Sequence, residues 1–292
     1  LQAMADAAMR IQTGHAEVVM VIGVESMSNI EYYSNDMRWG ARAGSVKLHD
    51  RLERGRERSQ PETRFGRISG MPETAENLAQ DFHISRDEAD RFAVRSHLNA
   101  AAAWREGRFA DEVIDVDVPR KRGASERVSI DEGIRADADL DTMAGLRTLL
   151  PDGICTAGNS SQQNDAAAGC LVVSREYATR HALQPIARWV DWSSAGCEPA
   201  RMGIGPVPAV AKLLQRTGLS LADMDLIEVN EAFAAQALAV LRAWDMQDIE
   251  RVNVNGSGIS LGHPIGATGL RIMTTLLHGM RRRDGRYGLE TM

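Results

Sequence analysis

His263 stands between Gly262 and Pro264 inside the densest run of small residues in the chain, Asn253-Val-Asn-Gly-Ser-Gly-Ile-Ser-Leu-Gly-His-Pro-Ile-Gly-Ala-Thr-Gly269. A helical pattern follows, so the imidazole sits at a helix start, where free N–H groups and the positive dipole end disfavour imidazolium. A neutral imidazole can take a proton or donate a hydrogen bond. The other histidines, among them His15, His83 and His278, read as surface or core residues. Two phosphate-cradle readings of the same turn are weak. Its glycines are not spaced Gly-x-Gly-x-x-Gly, no acidic residue stands about 20 positions on, and no Gly-Lys-Ser/Thr follows.

A second polar group is Asn230-Glu-Ala-Phe-Ala-Ala-Gln236, directly after an apolar run, Leu226 to Val229. The C-terminal end of a strand that opens into a helix is where open α/β sheets hold ligands; taken alone, Asn230 equally serves as a helix cap. Thr156 to Asp165 is a polar, turn-rich stretch that leads into a small-residue strand, and by itself it is also an ordinary surface loop.

The elements around these groups follow from periodicity. Leu1, Met4, Ala8 and Ile11 recur at helical spacing up to Gly14, and Val18 to Val24 reads as a buried strand. Arg51, Arg54, Arg56, Arg58, Arg64 and Arg67 crowd a stretch with few apolar residues, which is a solvated region by default. Ser85 and Glu88 have capping-box spacing and open an alanine-rich helix to about Trp104; Val113 to Val118 alternates like an edge strand. From about Ser28 to Pro151 the texture is that of an insertion or lid. After Gly169 to Ser174, a buried strand, the pattern alternates: strand Ile186 to Val190, helix Pro208 to Arg216, strand Leu226 to Val229, helix Phe233 to Trp244, strand Val252 to Val254, helix Gly269 to Arg283. This predicts an α/β fold with mixed or parallel sheet covered on both faces. Leu270, Met273, Leu277 and Met280 repeat the spacing of the first helix, and Gly288-Leu-Glu-Thr-Met292 echoes Gly23-Val-Glu-Ser-Met27, which suggests a duplicated unit.

Composition narrows the function. A net charge of −6 over 292 residues argues against binding by phosphate neutralisation, so no nucleic-acid partner is expected. Apolar runs are too short to cross a membrane. Cys155, Cys170 and Cys197 have neither disulfide-framework nor zinc spacing, which points to reduced thiols in a cytoplasmic protein and no metal.

Six segments in collinear order then carry a family resemblance: Gly23-Val-Glu-Ser-Met27, Thr74-Ala-Glu-Asn77, Thr156-Ala-Gly-Asn159 with Asn164-Asp165, Met202-Gly-Ile-Gly-Pro-Val-Pro208, Asn230-Glu-Ala-Phe-Ala234 and Gly262-His-Pro-Ile-Gly-Ala-Thr-Gly269. The sequence resembles the thiolase family, the acyl-CoA C-acyltransferases. The resemblance implies Claisen condensation of acetyl-CoA or thiolysis of a 3-ketoacyl-CoA through a cysteine acyl-enzyme, with coenzyme A as substrate and no resident cofactor. It implies that His263 activates the cysteine and helps bind the thioester oxygen, and that Asn230 holds a water in that oxyanion hole. By the same match Ser161 contacts pantetheine, Met71 and Phe233 line the acyl and pantetheine tunnel, and Arg135 lies near the CoA phosphates.

The implied organisation is a pair of duplicated α/β halves. Residues 1–27 and 152–178 would belong to an incomplete N-terminal half, 28–151 to a CoA-binding loop domain and 179–292 to the C-terminal half, in a protein that is a homodimer or homotetramer when full length. Both catalytic cysteines of the pattern fall outside the chain, so the chain alone is expected to be inactive. Departures at Gly70, Ser257 and Gln162-Gln163 bear on acyl-chain preference. A non-catalytic thiolase-like scaffold or lipid-transfer protein, a ketoacyl synthase type of condensing enzyme and a dinucleotide-binding dehydrogenase are the competing readings. Asn230 stands where a ketoacyl synthase would carry a histidine.

Overall fold

The computed structural model describes residues 1–54, 61–66, 70–120 and 123–292. In chain order its helices and strands begin with α1 (Gln2–Gln12), β1 (Val18–Ser26), β2 (Tyr32–Tyr33), β3 (His49–Asp50), α2 (Arg51–Arg54) and α3 (Glu62–Phe65). Next come α4 (Met71–Asp81), α5 (Arg86–Arg105), β4 (Val116–Val118), β5 (Glu126–Val128), α6 (Leu140–Ala144), β6 (Asp165–Val173) and α7 (Arg175–Arg180). The last are α8 (Pro206–Thr217), β7 (Leu226–Val229), α9 (Ala234–Ala243), α10 (Gly258–Leu261), α11 (Ile265–Arg283) and β8 (Gly288–Thr291).

Sheet pairing is mixed. β1 runs antiparallel to β6, with Val18 opposite Val173 and Ser26 opposite Asp165, whereas β7 and β8 are parallel, with Leu226 opposite Gly288 and Val229 opposite Thr291. One face of the β1–β6 pair packs on α1 and α11: Met4, Ala7, Val21 and Leu270 form one buried cluster. The two helices with matching sequence spacing therefore lie side by side, each leading to a strand that follows it in sequence. Alternation sends Met20, Ile22, Val24 and Leu171 to the opposite face, where they are 56–67% exposed. Helices thus cover one face of this pair among the described residues, where the sequence pattern predicts both.

The main core is shared between distant segments. Ala89, Phe92 and Ala93 of α5 bury against Ile227 and Val229 of β7 and Ala237 and Val240 of α9. Ala75, Leu78 and Ala79 of α4 pack on Ala235 and Ala239. Alanines on one face of each helix allow this close approach, and for that reason α4 and α5 join the core instead of standing apart as a lid. The Ser85–Glu88 capping box forms as the spacing predicts.

Three predicted elements differ. Ile186 to Val190 is not a strand; with Ile186 51% and Val190 48% exposed, it has alternation but no ladder partner. Val252 to Val254 makes only isolated bridges, because Asn253 takes φ 48° and its side chain supplies the missing ladder bonds, accepting from Val229 N (2.8 Å) and donating to Val229 O (2.9 Å). Helix α11 starts at Ile265 rather than Gly269, because Pro264 O accepts from the amides of Ala267 and Thr268. That start places His263 immediately before the first turn.

Candidate active site

His263 is held at several points. Its amide donates to Gln162 O (3.2 Å), and the preceding Gly262 has φ 90° with its Cβ position filled by the Asn164 side chain, so only glycine fits there. On the ring, Nδ1 lies 2.8 Å from Thr268 Oγ1, and the same hydroxyl lies 2.8 Å from Pro264 O. A hydroxyl has one proton, and a carbonyl can only accept. Donation to Pro264 leaves Oγ1 to accept from Nδ1–H, which leaves the lone pair of His263 on Nε2, facing away from Thr268.

Burial, reinforced by the Arg271 charge and opposed by Glu25, lowers the His263 pKa to about 4. The imidazole is neutral at pH 7, as its position predicts, but desolvation is the largest cause. Asn230 flanks the same edge of the ring; with the proton on Nδ1 its Nδ2, 3.4 Å away, faces a second donor and makes no hydrogen bond there, and its buried Oδ1 has no protein partner. Asn230 is placed by β7 through its amide, which donates to Thr291 O (3.0 Å).

Glu231, fully buried, ties the elements of the site together. Its carboxyl accepts from Ser96 Oγ of α5 (2.6 Å), Asn253 Nδ2 (2.8 Å) and Ile259 N (3.3 Å). The loop that ends in His263 is thereby fastened to α5 and β7. From the other side Glu25, at the end of β1, accepts from Gly266 N in the first turn of α11 (2.9 Å), and an acidic side chain is favoured at that end of a helix.

The remaining candidates divide into a near group and a far group. Ser161 is next to the site: its amide donates to Ala232 O (2.9 Å), Ser160 bridges to Phe233, and Gln162 Nε2 donates to Ile259 O (3.0 Å). Phe233 holds the position just before α9 and packs against the buried cluster of Ala75, Leu78, Ala235 and Ala239. Met71 opens α4 and is 36% exposed. Arg135 is exposed on the 129–138 loop, which Gln162 anchors by donating from Nε2 to Gly133 O (2.8 Å); the Arg135 amide donates to His97 Nδ1 (3.2 Å). Arg56, Arg58 and Arg67 lie outside the described residues.

The thiols stand elsewhere. Cys155 is sealed against α4, and burial together with the Glu76 carboxylate pushes its thiol far up. Cys170 on β6 meets Met4 Sδ, and Cys197 is exposed; burial raises both thiols. Thr268, Glu231 and Glu25 are not site candidates from sequence, and Gln162 enters there only as a departure that bears on acyl-chain preference. Thr268 carries a readable signal, a hydroxyl five residues after His263 and therefore in the first turn of the helix it precedes. Glu231 has none, because a glutamate beside Asn230 gives no sign that it points inward.

The Thiolase, N-terminal domain model matches residues 1–176, and the Thiolase, C-terminal domain model matches residues 183–292. The chain belongs to the thiolase family. This thiolase chain is 45% identical over its whole length to Beta-ketothiolase BktB of Cupriavidus necator and 43% identical to an acetyl-CoA acetyltransferase of Shinella zoogloeoides, spanning 73% of each. Its fold is similar to that of the Bacillus anthracis acetyl-CoA acetyltransferase, with a TM-score of 0.93, 44% identity, and 99% of this chain against 72% of that one. It is also similar to human mitochondrial 3-ketoacyl-CoA thiolase in complex with CoA, with a TM-score of 0.90, 40% identity, and 99% against 71%. The mixed α/β architecture described above is thus the thiolase fold.

Proposed function

We propose that this thiolase acts as an acyl-CoA C-acyltransferase in which His263 Nε2 is the proton acceptor and donor, and Asn230 supports the oxyanion beside the thioester. The observation that carries this reading is the neutral imidazole, with Nδ1 engaged by Thr268 and Asn230 at its edge. Thiolate formation needs a base that is unprotonated at working pH, and an enolate oxygen needs fixed donors. A ring that donates through Nδ1 keeps Nε2 basic, and Nε2–H, once formed, is such a donor. None of Cys155, Cys170 and Cys197 has a lowered pKa, so the chain's own residues supply base, oxyanion support and substrate contacts; they do not supply the nucleophile.

Coenzyme A and its thioesters are substrates in this reading. Ser161 and Phe233, beside the His263 loop, would meet the pantetheine arm, Met71 the acyl tunnel, and Arg135, on the loop tied to Gln162 and open to solvent, the phosphates. The loop domain of 28–151 would carry Met71 and Arg135. Three free cysteines fit a reducing, cytoplasmic compartment, and among the described residues no helix is long and apolar enough to cross a membrane. The open apolar face of β1 and β6 supports a homodimer or homotetramer.

Titration of the chain with CoA and acetyl-CoA, followed by imidazole and amide resonances, tests the reading. Saturable binding that moves His263, Ser161 and Phe233 is expected. NADH binding without CoA binding overturns it in favour of a dinucleotide enzyme.

A further inference from the structure

Behind the His263 turn lies a group of charges for which the proton transfer above has no use. Glu228 of β7 and Glu290 of β8 are register partners on parallel strands, so their side chains leave the sheet on the same face. Leu226, two residues before Glu228 and on that face, packs against Leu276 of α11. The two carboxyls therefore point at α11. Burial pushes both well above the usual carboxylate range, and Glu228 Oε2 and both Glu290 oxygens are buried without a hydrogen-bond partner.

The cation that α11 brings to that side is Arg271, two turns into the helix; Arg95 of α5 also acts on Glu228. Its Nε and Nη1 are buried and unpartnered, and its Nη2 points at Gly262 O, 3.4 Å away. Glu228, Asp131, Glu231 and Glu290 act on its charge, and Glu112 also faces it. A guanidinium does not lose its proton, so a buried one must be matched by nearby negative charge. Two adjacent buried carboxyls cannot both ionise cheaply. One carboxylate facing one guanidinium, with the second carboxyl protonated, is the arrangement these groups favour, and it leaves Arg271 no reason to move.

We propose that Arg271 is a positioning residue for His263: facing the Glu228–Glu290 pair across α11 without a direct ion pair, its guanidinium points at the Gly262 carbonyl, steadies the turn that presents the imidazole, and sets a permanent positive charge behind the ring. The proposal rests on the reading of His263 as the base. The Gly262 carbonyl belongs to the peptide whose N–H, on His263, donates to Gln162 O, so one grip at 262 orients the next residue. The charges that face the ring itself are Arg271 from α11 and Glu25 from β1; the uncharged groups are Asn230, Gln162 and Thr268.

Imidazole NMR titration of the 292-residue chain tests this without needing turnover. In R271M the positive charge is gone, and the His263 pKa rises by about one unit from its parent value, with faster exchange of the His263 amide. E228Q keeps the guanidinium and leaves the ring at or below the parent value. R271M could fail to fold because it strands a buried carboxylate, so R271M/E228Q, which removes the guanidinium and one of the two facing carboxyls and leaves the other free to stay protonated, carries the same expectation. A His263 ring that titrates in R271M/E228Q where it does in the parent overturns the proposal. Failure of CoA binding in the parent would sink the functional reading and leave this titration result intact, so the two failures are separable.

Discussion

Gly23 of β1 and Gly266 of α11 meet backbone to backbone: a Cβ on Gly23 would stand 2.7 Å from Gly266 O, and one on Gly266 would stand 2.5 Å from Val24 O. Neither obstacle is a flexible side chain. This contact lets Glu25 reach Gly266 N and sets the height of the helix start beneath His263. Gly23→Ala therefore costs about 2 kcal/mol of stability, in the range of overpacked cores, and it displaces the first turn of α11. Urea unfolding reads the cost, and chemical shifts of residues 263–268 read the displacement. A G23A chain of parental stability would show that β1 and α11 do not approach this closely.

Thr268 fixes the tautomer. Thr268→Val keeps shape and loses the acceptor for Nδ1–H, so the neutral ring becomes a mixture of its two tautomers and stability falls by about 1 kcal/mol. Thr268→Ser retains the hydroxyl and the parental tautomer. Imidazole ¹⁵N shifts distinguish these outcomes; an unchanged spectrum in T268V would mean that Thr268 does not hold the proton on Nδ1.

Much of this site is legible in sequence, but unevenly. His263 and Asn230 could be singled out because glycine-rich and strand-end contexts are local in the chain, and the alternation of elements from Leu226 onward is local too. The parts that sequence hides are side-chain directions. Glu228 lies in a strand buried on both faces, where a charged residue breaks the apolar pattern without showing its partner. Asn253 reads as strand, yet it turns to positive φ and pairs with Val229 through its side chain. Ile186 to Val190 alternates correctly, but pairing depends on a second strand that no local pattern reports. The arrangement of α4 and α5 in the core was hidden by charge-rich flanks, although the alanine spacing of α5 was visible.

Glu231 is the fastening of the His263 loop, and its removal should be costly. Glu231→Ala removes the shared acceptor of three buried donors, Ser96 Oγ, Asn253 Nδ2 and Ile259 N; Ser96 Oγ keeps Ser260 Oγ and Asn253 Nδ2 keeps Val229 O, and the chain is destabilised by about 2 kcal/mol. Glu231→Gln retains volume and part of the acceptor capacity, and it loses less. Thermal melts order the parent above E231Q and E231Q above E231A. If E231A melts with the parent, the three hydrogen bonds do not hold the loop.

Thiol chemistry should follow burial. At neutral pH Cys197, exposed, alkylates first with iodoacetamide, and Cys155, enclosed beside Glu76, stays unmodified while the chain is folded. Incubation with acetyl-CoA acylates none of the three, and the chain by itself shows no thiolysis of acetoacetyl-CoA. Intact-mass and peptide mass spectrometry check each statement. An acetyl group on Cys155 would contradict the placement of the thiols away from the base.

His97 gives a pH test away from the candidate site. Buried in α5, with Nδ1 accepting from the Arg135 amide, it is held at a pKa of about 4 by desolvation first and then by the Arg135 charge, against about 6.5 in an unfolded chain. A depressed histidine pKa means that the unfolded chain binds the extra proton first, so stability drops as the pH falls from about 6.5 towards 4 and changes no further below that. The full effect is about 3 kcal/mol for a shift of this size. Several buried carboxyls titrate in the opposite sense, including Glu112, which burial raises to about 7, so the pH dependence of the chain alone does not isolate the histidine. The difference between the parent and His97→Gln does, because the other groups cancel. That difference in unfolding free energy should move by up to about 3 kcal/mol against the parent between pH 7 and pH 4, measured by urea denaturation at each pH. A difference that is flat with pH would mean that His97 is protonated as readily in the folded chain as in the unfolded one.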